Sequence, residues 1–198
     1  MHCKPVAVIL LLAIFLPGCE PPVEQLFRLG DDYYNGKQYE KALEQYDRII
    51  HHNGKIQQAY YDRALCYIEL QKYPQALGDL NKLVGMQTQG DYIITFNKNF
   101  PNASEEMQWQ VDYHEVLFQR AIVRYYMDSL RSASADLQAC IDNQYRAGTC
   151  TIWKGLLWLR AGEKEKGCAL FQKVFQEATD SAEKDLARSM IDSNCVKK

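Results

Sequence analysis

The chain has 198 residues, 47% of them hydrophobic, 12% aromatic and 24% charged. That suffices for one compact domain or one short repeat array, and falls short of two full-sized domains. With 23 basic against 25 acidic residues the net charge is −2, so the basic patch of a nucleic-acid binder is not expected and the aromatic content argues against disorder.

The first residues read as an export signal. Met1–Pro5 contains one basic residue, Lys4, and Val6–Leu16 is an unbroken apolar run of 11 residues. As a helix that run spans about 16 Å, half of a ~30 Å hydrocarbon core, and so suits a secretory segment better than a membrane anchor. Leu16-Pro17-Gly18-Cys19 comes next. This tetrad resembles the lipobox of bacterial lipoproteins, in which the cysteine is acylated and becomes the new N-terminus. Pro17 departs from the small residue usual there, and Lys4 alone makes a thin basic region. The resemblance implies removal of residues 1–18 and lipidation of Cys19, and two or more acyl chains meet the requirement for stable anchoring. In that family Asp after the cysteine retains the protein at the inner membrane. Glu20 stands here, so the resemblance implies the outer membrane, facing the periplasm. Glu20-Pro21-Pro22 then forms a short stiff spacer in residues 19–22.

From residue 23 onward a skeleton recurs every 34 residues. Leu29-Gly30 and Tyr33-Tyr34 lead into Tyr39, Ala42-Leu43 and Tyr46. A shift of 34 gives Arg63-Ala64, Tyr67-Ile68, Tyr73, Ala76-Leu77 and Leu80, and a third copy, after a longer gap, reads Arg120-Ala121, Arg124-Tyr125, Leu130, Ala133 and Leu137. Lys154-Gly155, Trp158-Leu159, Gly167 and Phe171 complete a fourth copy. The pattern resembles the tetratricopeptide repeat, and the copies are 23–56, 57–90, 114–147 and 148–181. The first two match well. The last two are degenerate, with Arg124 at a large apolar position and Lys164 in place of an aromatic.

The resemblance implies an all-α, right-handed superhelical solenoid of about four helix hairpins. Small residues at two positions of each copy let the paired helices approach closely, and a lone hairpin cannot bury its own face, so neighbours must stack. Asp180-Ser181 starts a capping helix over about 182–195, with Leu186, Ala187, Met190 and Ile191 inward and Glu183, Lys184, Asp185 and Arg188 outward. An insertion at 91–113 interrupts the phase. Asp91–Phe96 is a β-branched and aromatic run. Ser104-Glu105-Glu106 begins a helix expected to continue through Trp109 and Tyr113 into the third copy, leaving 86–103 as the irregular stretch.

In tetratricopeptide repeats one face of each first helix lines a concave groove. Carried over, the partner-binding residues are Phe27, Asp31, Tyr34, Tyr61, Leu65, Ile68, Glu69, Phe118, Ile122, Tyr125, Tyr126, Ile152, Leu156 and Leu159. Members that clamp a C-terminal carboxylate need Lys, Asn and Arg there, whereas Phe27, Asp31, Asp62, Glu115 and Gln119 occupy the corresponding places. Acidic side chains repel such a ligand. What remains is an aromatic and aliphatic trough with acidic spots, suited to an amphipathic helix or extended segment with basic flanks. The trough is either open or largely covered, by the insertion, Tyr92–Phe96 above all, or by a tightly curled superhelix.

His51-His52 reads as a solvated pair, and His114 has no ligand partner at metal spacing. Phosphate loops and nucleophile elbows are missing from the sequence, so neither catalysis, cofactor nor metal is expected. The leading expectation is a non-enzymatic envelope scaffold or assembly factor, anchored through Cys19, with unidentified envelope proteins as partners. A narrower version resembles the repeat lipoproteins of barrel assembly and of type IV pili, both of which have more repeats. The alternative is a periplasmic receptor for a peptide or glycan.

Removal of Cys3 and lipidation of Cys19 leave Cys66, Cys140, Cys150, Cys168 and Cys195. In stacked hairpins Cys140 and Cys150 lie at matching heights on adjacent helices, as do Cys168 and Cys195. Each pair is a candidate disulfide; the alternative is that all five are packing residues.

Overall fold

The computed structural model describes residues 21–89 and 109–196, and within them all regular structure is helical. The helices are α1 (Val23–Asn35), α2 (Tyr39–His52), α3 (Gln57–Glu69), α4 (Tyr73–Gln89), α5 (Tyr113–Tyr126), α6 (Leu130–Asp142), α7 (Ala147–Arg160), α8 (Lys164–Glu177) and α9 (Ser181–Asn194). Each helix packs mainly on its neighbours in sequence, which is the nearest-neighbour logic of a solenoid. Cys19 with its leader, the Tyr92–Phe96 run and the helix start at Ser104 lie outside the described residues.

Every hairpin turns in the same way. Lys37, Gln71, Asp128 and Gly162 occupy one repeat position and have φ of 56°, 55°, 60° and 83°. A left-handed residue there lets two successive N–H groups reach back to carbonyls of the preceding helix, as Lys37 N–H does to Tyr34 and Gln38 N–H to Tyr33. Only the fourth copy uses glycine, the residue that adopts this conformation without strain.

Inside each hairpin, a small residue faces a large one, and their sizes are matched. A Cβ added to Gly30 falls 2.6 Å from the Tyr46 ring, and one added to Gly155 falls 2.4 Å from Phe171. Where the small residue is alanine, at Ala64 and Ala121, its repeat counterpart is the slimmer Leu80 or Leu137. All six of these other side chains are buried. Arginine adds a second device between helices of a hairpin. Arg63 grips Asp79 through two hydrogen bonds of 2.8 and 2.6 Å, and Arg120 grips Asp136 at 2.9 and 2.8 Å. Arg124, which breaks the apolar pattern, also reaches Asp136 at 2.5 Å. Its charge is thus paired rather than buried alone.

Three expectations are corrected. The helix of the third copy does not extend back through Trp109: residues 110–112 are not helical, and α5 starts after Asp112, whose carboxylate accepts the His114 and Glu115 N–H groups. Asp112 is a stronger stop than the periodicity before it, because it satisfies donors that an N-terminus leaves orphaned. On the preceding side α4 runs to Gln89, past the expected break at 86. In α9, Ala187 is buried but Leu186 is 40% exposed. Glu183 instead points inward and accepts from Thr149 N–H and Oγ1 at 3.0 and 3.1 Å, capping α7.

Cys168 and Cys195 form a disulfide with Cα atoms 5.7 Å apart, tying α9 to α8. Cys140 and Cys150 do not form the second expected bridge; both are free and buried. Each thiol has its own acceptor, Cys140 Sγ donating to the His114 carbonyl at 3.4 Å and Cys150 Sγ to the Tyr145 carbonyl at 3.5 Å. Cys66 is likewise free and buried, between α3 and its neighbours.

Candidate interaction groove

The first helices α1, α3, α5 and α7 carry the groove residues, but they do not present them equally. Phe27, Phe118 and Ile152 are 4%, 4% and 1% exposed, which removes them as anchors for a partner. Phe27 stacks against Trp109 with ring centroids 4.4 Å apart, and the Arg146 guanidinium sits 4.6 Å over the Phe118 ring. Ile152 packs in the terminal core with Phe171, Val174 and Ala187. Leu65, Ile68, Ile122, Leu156 and Leu159 are half-buried and keep an accessible edge.

Trp109 belongs to a strip that covers the start of the groove. Gln58 N–H donates to the Trp109 carbonyl at 2.9 Å. Gln87 Nε2 donates to the Val111 carbonyl at 2.6 Å, and Val111 N–H donates to Gln57 Oε1 at 3.4 Å. Residues 109–111 are therefore bound along their backbone by the Gln58 backbone N–H and by the side chains of Gln57 on α3 and Gln87 on α4. Nothing periodic marks this strip in the sequence, so reading by phase places Trp109 in a helix instead.

Glu115 organises the groove around α5. Tyr61 donates to Oε1 at 2.6 Å, Gln119 Nε2 donates to the same oxygen at 2.9 Å, and Tyr145 donates to Oε2. Arg146 approaches Oε2 at 3.4 Å. Burial pushes the Glu115 carboxyl up, but the bonds from Tyr145, Tyr61 and Gln119, with the Arg146 charge, outweigh it and hold the group below its ordinary range. Its charge is spent internally, and the Tyr61 hydroxyl is already engaged.

The opposite condition holds towards α1. Asp31, Tyr34, Asn35, Tyr46, Asp62 and Leu65 line a cavity of about 200 Å³. Asp31 accepts from the Tyr46 hydroxyl at 2.9 Å, and Asp62 accepts from Gln58 Nε2 at 2.8 Å. Both donors are neutral. Burial, with the Asp31 charge adding to it, pushes the Asp62 carboxyl up to about 7 against a partial offset from Gln58. Burial and then the Glu69 charge push the Tyr34 hydroxyl up to about 12. At this end of the groove the two carboxyls have no cationic partner among the described residues.

At the far rim the aromatics pair with one another. Tyr126, 46% exposed, stacks on Tyr73 at 5.1 Å. Tyr125 meets Trp153 edge-on at 5.5 Å and lies under the Arg160 guanidinium at 4.7 Å. Among the described residues no group of three or more His, Cys, Asp or Glu side chains is placed to hold a metal ion. None of the described helices is long and apolar enough to cross a membrane.

Stacked hairpins with a lined concave face define a solenoid scaffold, a fold whose concave surface serves recognition. Residues 27–91 match the family model described as tetratricopeptide repeat, and the four hairpins form a tetratricopeptide-repeat superhelix. A segment is 29% identical over 86 residues to Hsp70-Hsp90 organizing protein 2 of Arabidopsis thaliana, covering 40% of this chain but only 15% of that relative. Among solved structures, MamA aligns with a TM-score of 0.61 at 14% identity, over 87% of this chain and 85% of that one. A tetratricopeptide repeat protein from Parabacteroides merdae aligns at 0.63 and 20% identity, over 87% of this chain and 58% of that one. YrrB, described as a TPR protein with an unusual peptide-binding site, aligns at 0.57 and 12% identity, over 88% and 79% of the two chains. At such identities these structures are relatives in fold.

Proposed function

We propose that this chain is a non-enzymatic scaffold or assembly factor of the bacterial cell envelope, anchored by acyl chains on Cys19 and binding partner proteins in its groove. The observation that carries the binding reading is the cavity at Asp31 and Asp62. Two carboxylates face one recess with only neutral hydrogen-bond donors, an arrangement that favours an incoming Lys or Arg side chain. Leu65, which lines the recess, and the half-buried Ile68 and Ile122 on the first helices supply apolar surface for the rest of a partner segment. The ligand is therefore an amphipathic helix or extended segment with a basic residue at one end. The rim tyrosines favour a peptide over a glycan, because Tyr126 and Tyr125 already spend ring contacts on Tyr73 and Trp153. Leu16–Cys19 supports the lipid anchor, and the Cys168–Cys195 bridge suits an oxidising compartment.

A photo-crosslinking amino acid at Leu65 in the native envelope tests the groove. The expected result is one dominant protein adduct that disappears when Asp62→Lys is added. An adduct indifferent to Asp62→Lys sinks this ligand chemistry. For the anchor, Cys19→Ser should move the protein from the membrane to the soluble fraction, and an unmodified mature N-terminus elsewhere refutes it.

A further inference from the structure

On α7, Lys154, Leu157 and Trp158, with Ala161 just past its end, lie on the side opposite Ile152, Leu156 and Leu159, as a 100° step per residue requires. Together with Leu130, Arg131 and Ser134 of α6 they line a cavity of about 300 Å³. Its walls are chiefly apolar, and Trp158 is 38% exposed there. That volume is at the low end for ligand pockets and suits one inserted side chain. The two charged residues that line it, Arg131 and Lys154, are both basic. No acidic residue lines the cavity. Arg131 makes no ion pair among the described residues, and Lys154 bonds only the neutral Gln138, at 2.5 Å. Lys166 lies 4.8 Å over the Trp158 ring, its charge shared with Glu163 at 3.2 Å. In a chain of net charge −2, this is a local cationic spot around an apolar slot.

We propose that the α6–α7 cavity is a second docking site, outside the groove, for a partner segment presenting an aromatic side chain next to a carboxylate. The apolar walls take the ring, while Arg131 and Lys154 take the charge. This chemistry is opposite in sign to that of the Asp31–Asp62 recess, so the two surfaces select different segments and can be filled together.

The test uses 3-phenylpropionate and its neutral amide as probes, added to the purified protein while NMR follows the Trp158 indole N–H and the Leu130 and Leu157 methyls. The expected result is a saturable shift of these signals at about 10 mM acid, with the amide roughly fivefold weaker at low salt. Arg131→Gln with Lys154→Gln should remove that preference for the acid and leave the weak amide binding in place. Equal affinity for acid and amide, or shifts confined to groove residues such as Tyr125, overturns the proposal. So does a rise in translational diffusion on adding the acid, since that assigns the cavity to a second copy of the chain. Failure of the Leu65 crosslink leaves this outcome unaffected, because the two sites share no residue.

Discussion

Asp62 and Glu115 are both acidic, both on first helices and both withdrawn from water, yet they load the fold in opposite ways. Glu115 has three hydrogen-bond donors and a guanidinium. Its folded pKa is depressed, so its stabilisation is present above the ordinary carboxylate range and is lost as pH falls through the depressed value. Glu115→Gln should cost about 1–3 kcal/mol at neutral pH, measured by urea unfolding, and progressively less as pH falls below the ordinary carboxylate range. Asp62 is the reverse case. Its carboxyl is raised from 3.8 to about 7, so the folded state binds the extra proton, and stability falls as pH rises between those values. Asp62→Asn keeps the acceptor for Gln58 and removes the charge. The variant should be more stable than the parent by about 1–3 kcal/mol at pH 8 and nearly equal to it at pH 4, allowing for water in the cavity. The same logic bears on function. A basic partner residue entering the recess should lower the Asp62 pKa and release a proton at pH 6–7, so the binding heat should vary with the ionisation enthalpy of the buffer.

Within a hairpin, stability rests on a size match and a turn that both recur at the repeat period. Gly30 opposes Tyr46, whereas Ala64 and Ala121 sit in copies that carry Leu80 and Leu137 instead of an aromatic. Gly30→Ala should therefore destabilise the array by about 1–3 kcal/mol through overpacking. Adding Tyr46→Leu should recover part of the loss, less the Tyr46 bond to Asp31, which a double-mutant cycle would measure as coupling. At the turns, Lys37 and Gln71 hold φ of 56° and 55° without being glycine. Gln71→Gly should raise stability by up to about 1 kcal/mol, and a loss instead would mean that the Gln71 side chain stabilises the turn. These features explain why the hairpins are legible from sequence: alanine, glycine and large apolar residues report on contacts inside one 34-residue unit. Trp109, the Glu115 bond to Tyr61 and the Glu183 cap on Thr149 are contacts between units, made by side chains outside the repeat skeleton. No period announces them. The groove positions were legible as positions, but Phe27, Phe118 and Ile152 are covered by Trp109, Arg146 and the terminal core, which only long-range packing decides.

The molecule as a whole is a row of hairpins in which each element leans on the next, so its ends should be its weakest parts. The C-terminal end shows this most clearly. Among the residues of α9 only Ala187 is fully buried, and Leu186 is exposed. What holds the cap is a short list: Ala187, Met190 and Ile191 on the terminal core, the Glu183 bonds to Thr149, and the Cys168–Cys195 bridge. The bridge closes a loop with a sequence separation of 27, and such a link typically stabilises by about 2–4 kcal/mol. Reduction should therefore release α9 first. Hydrogen exchange read by mass spectrometry should show α8 and α9 losing protection on reduction while α3, α4 and α5 keep theirs. Because Glu183 caps α7, the freed cap should also loosen the start of α7 near Thr149, and Glu183→Gln in the oxidised protein should reproduce that part alone. Equal loss of protection from α1 through α9 on reduction would show instead that the array unfolds as one cooperative unit, with the bridge guarding the whole chain rather than its end.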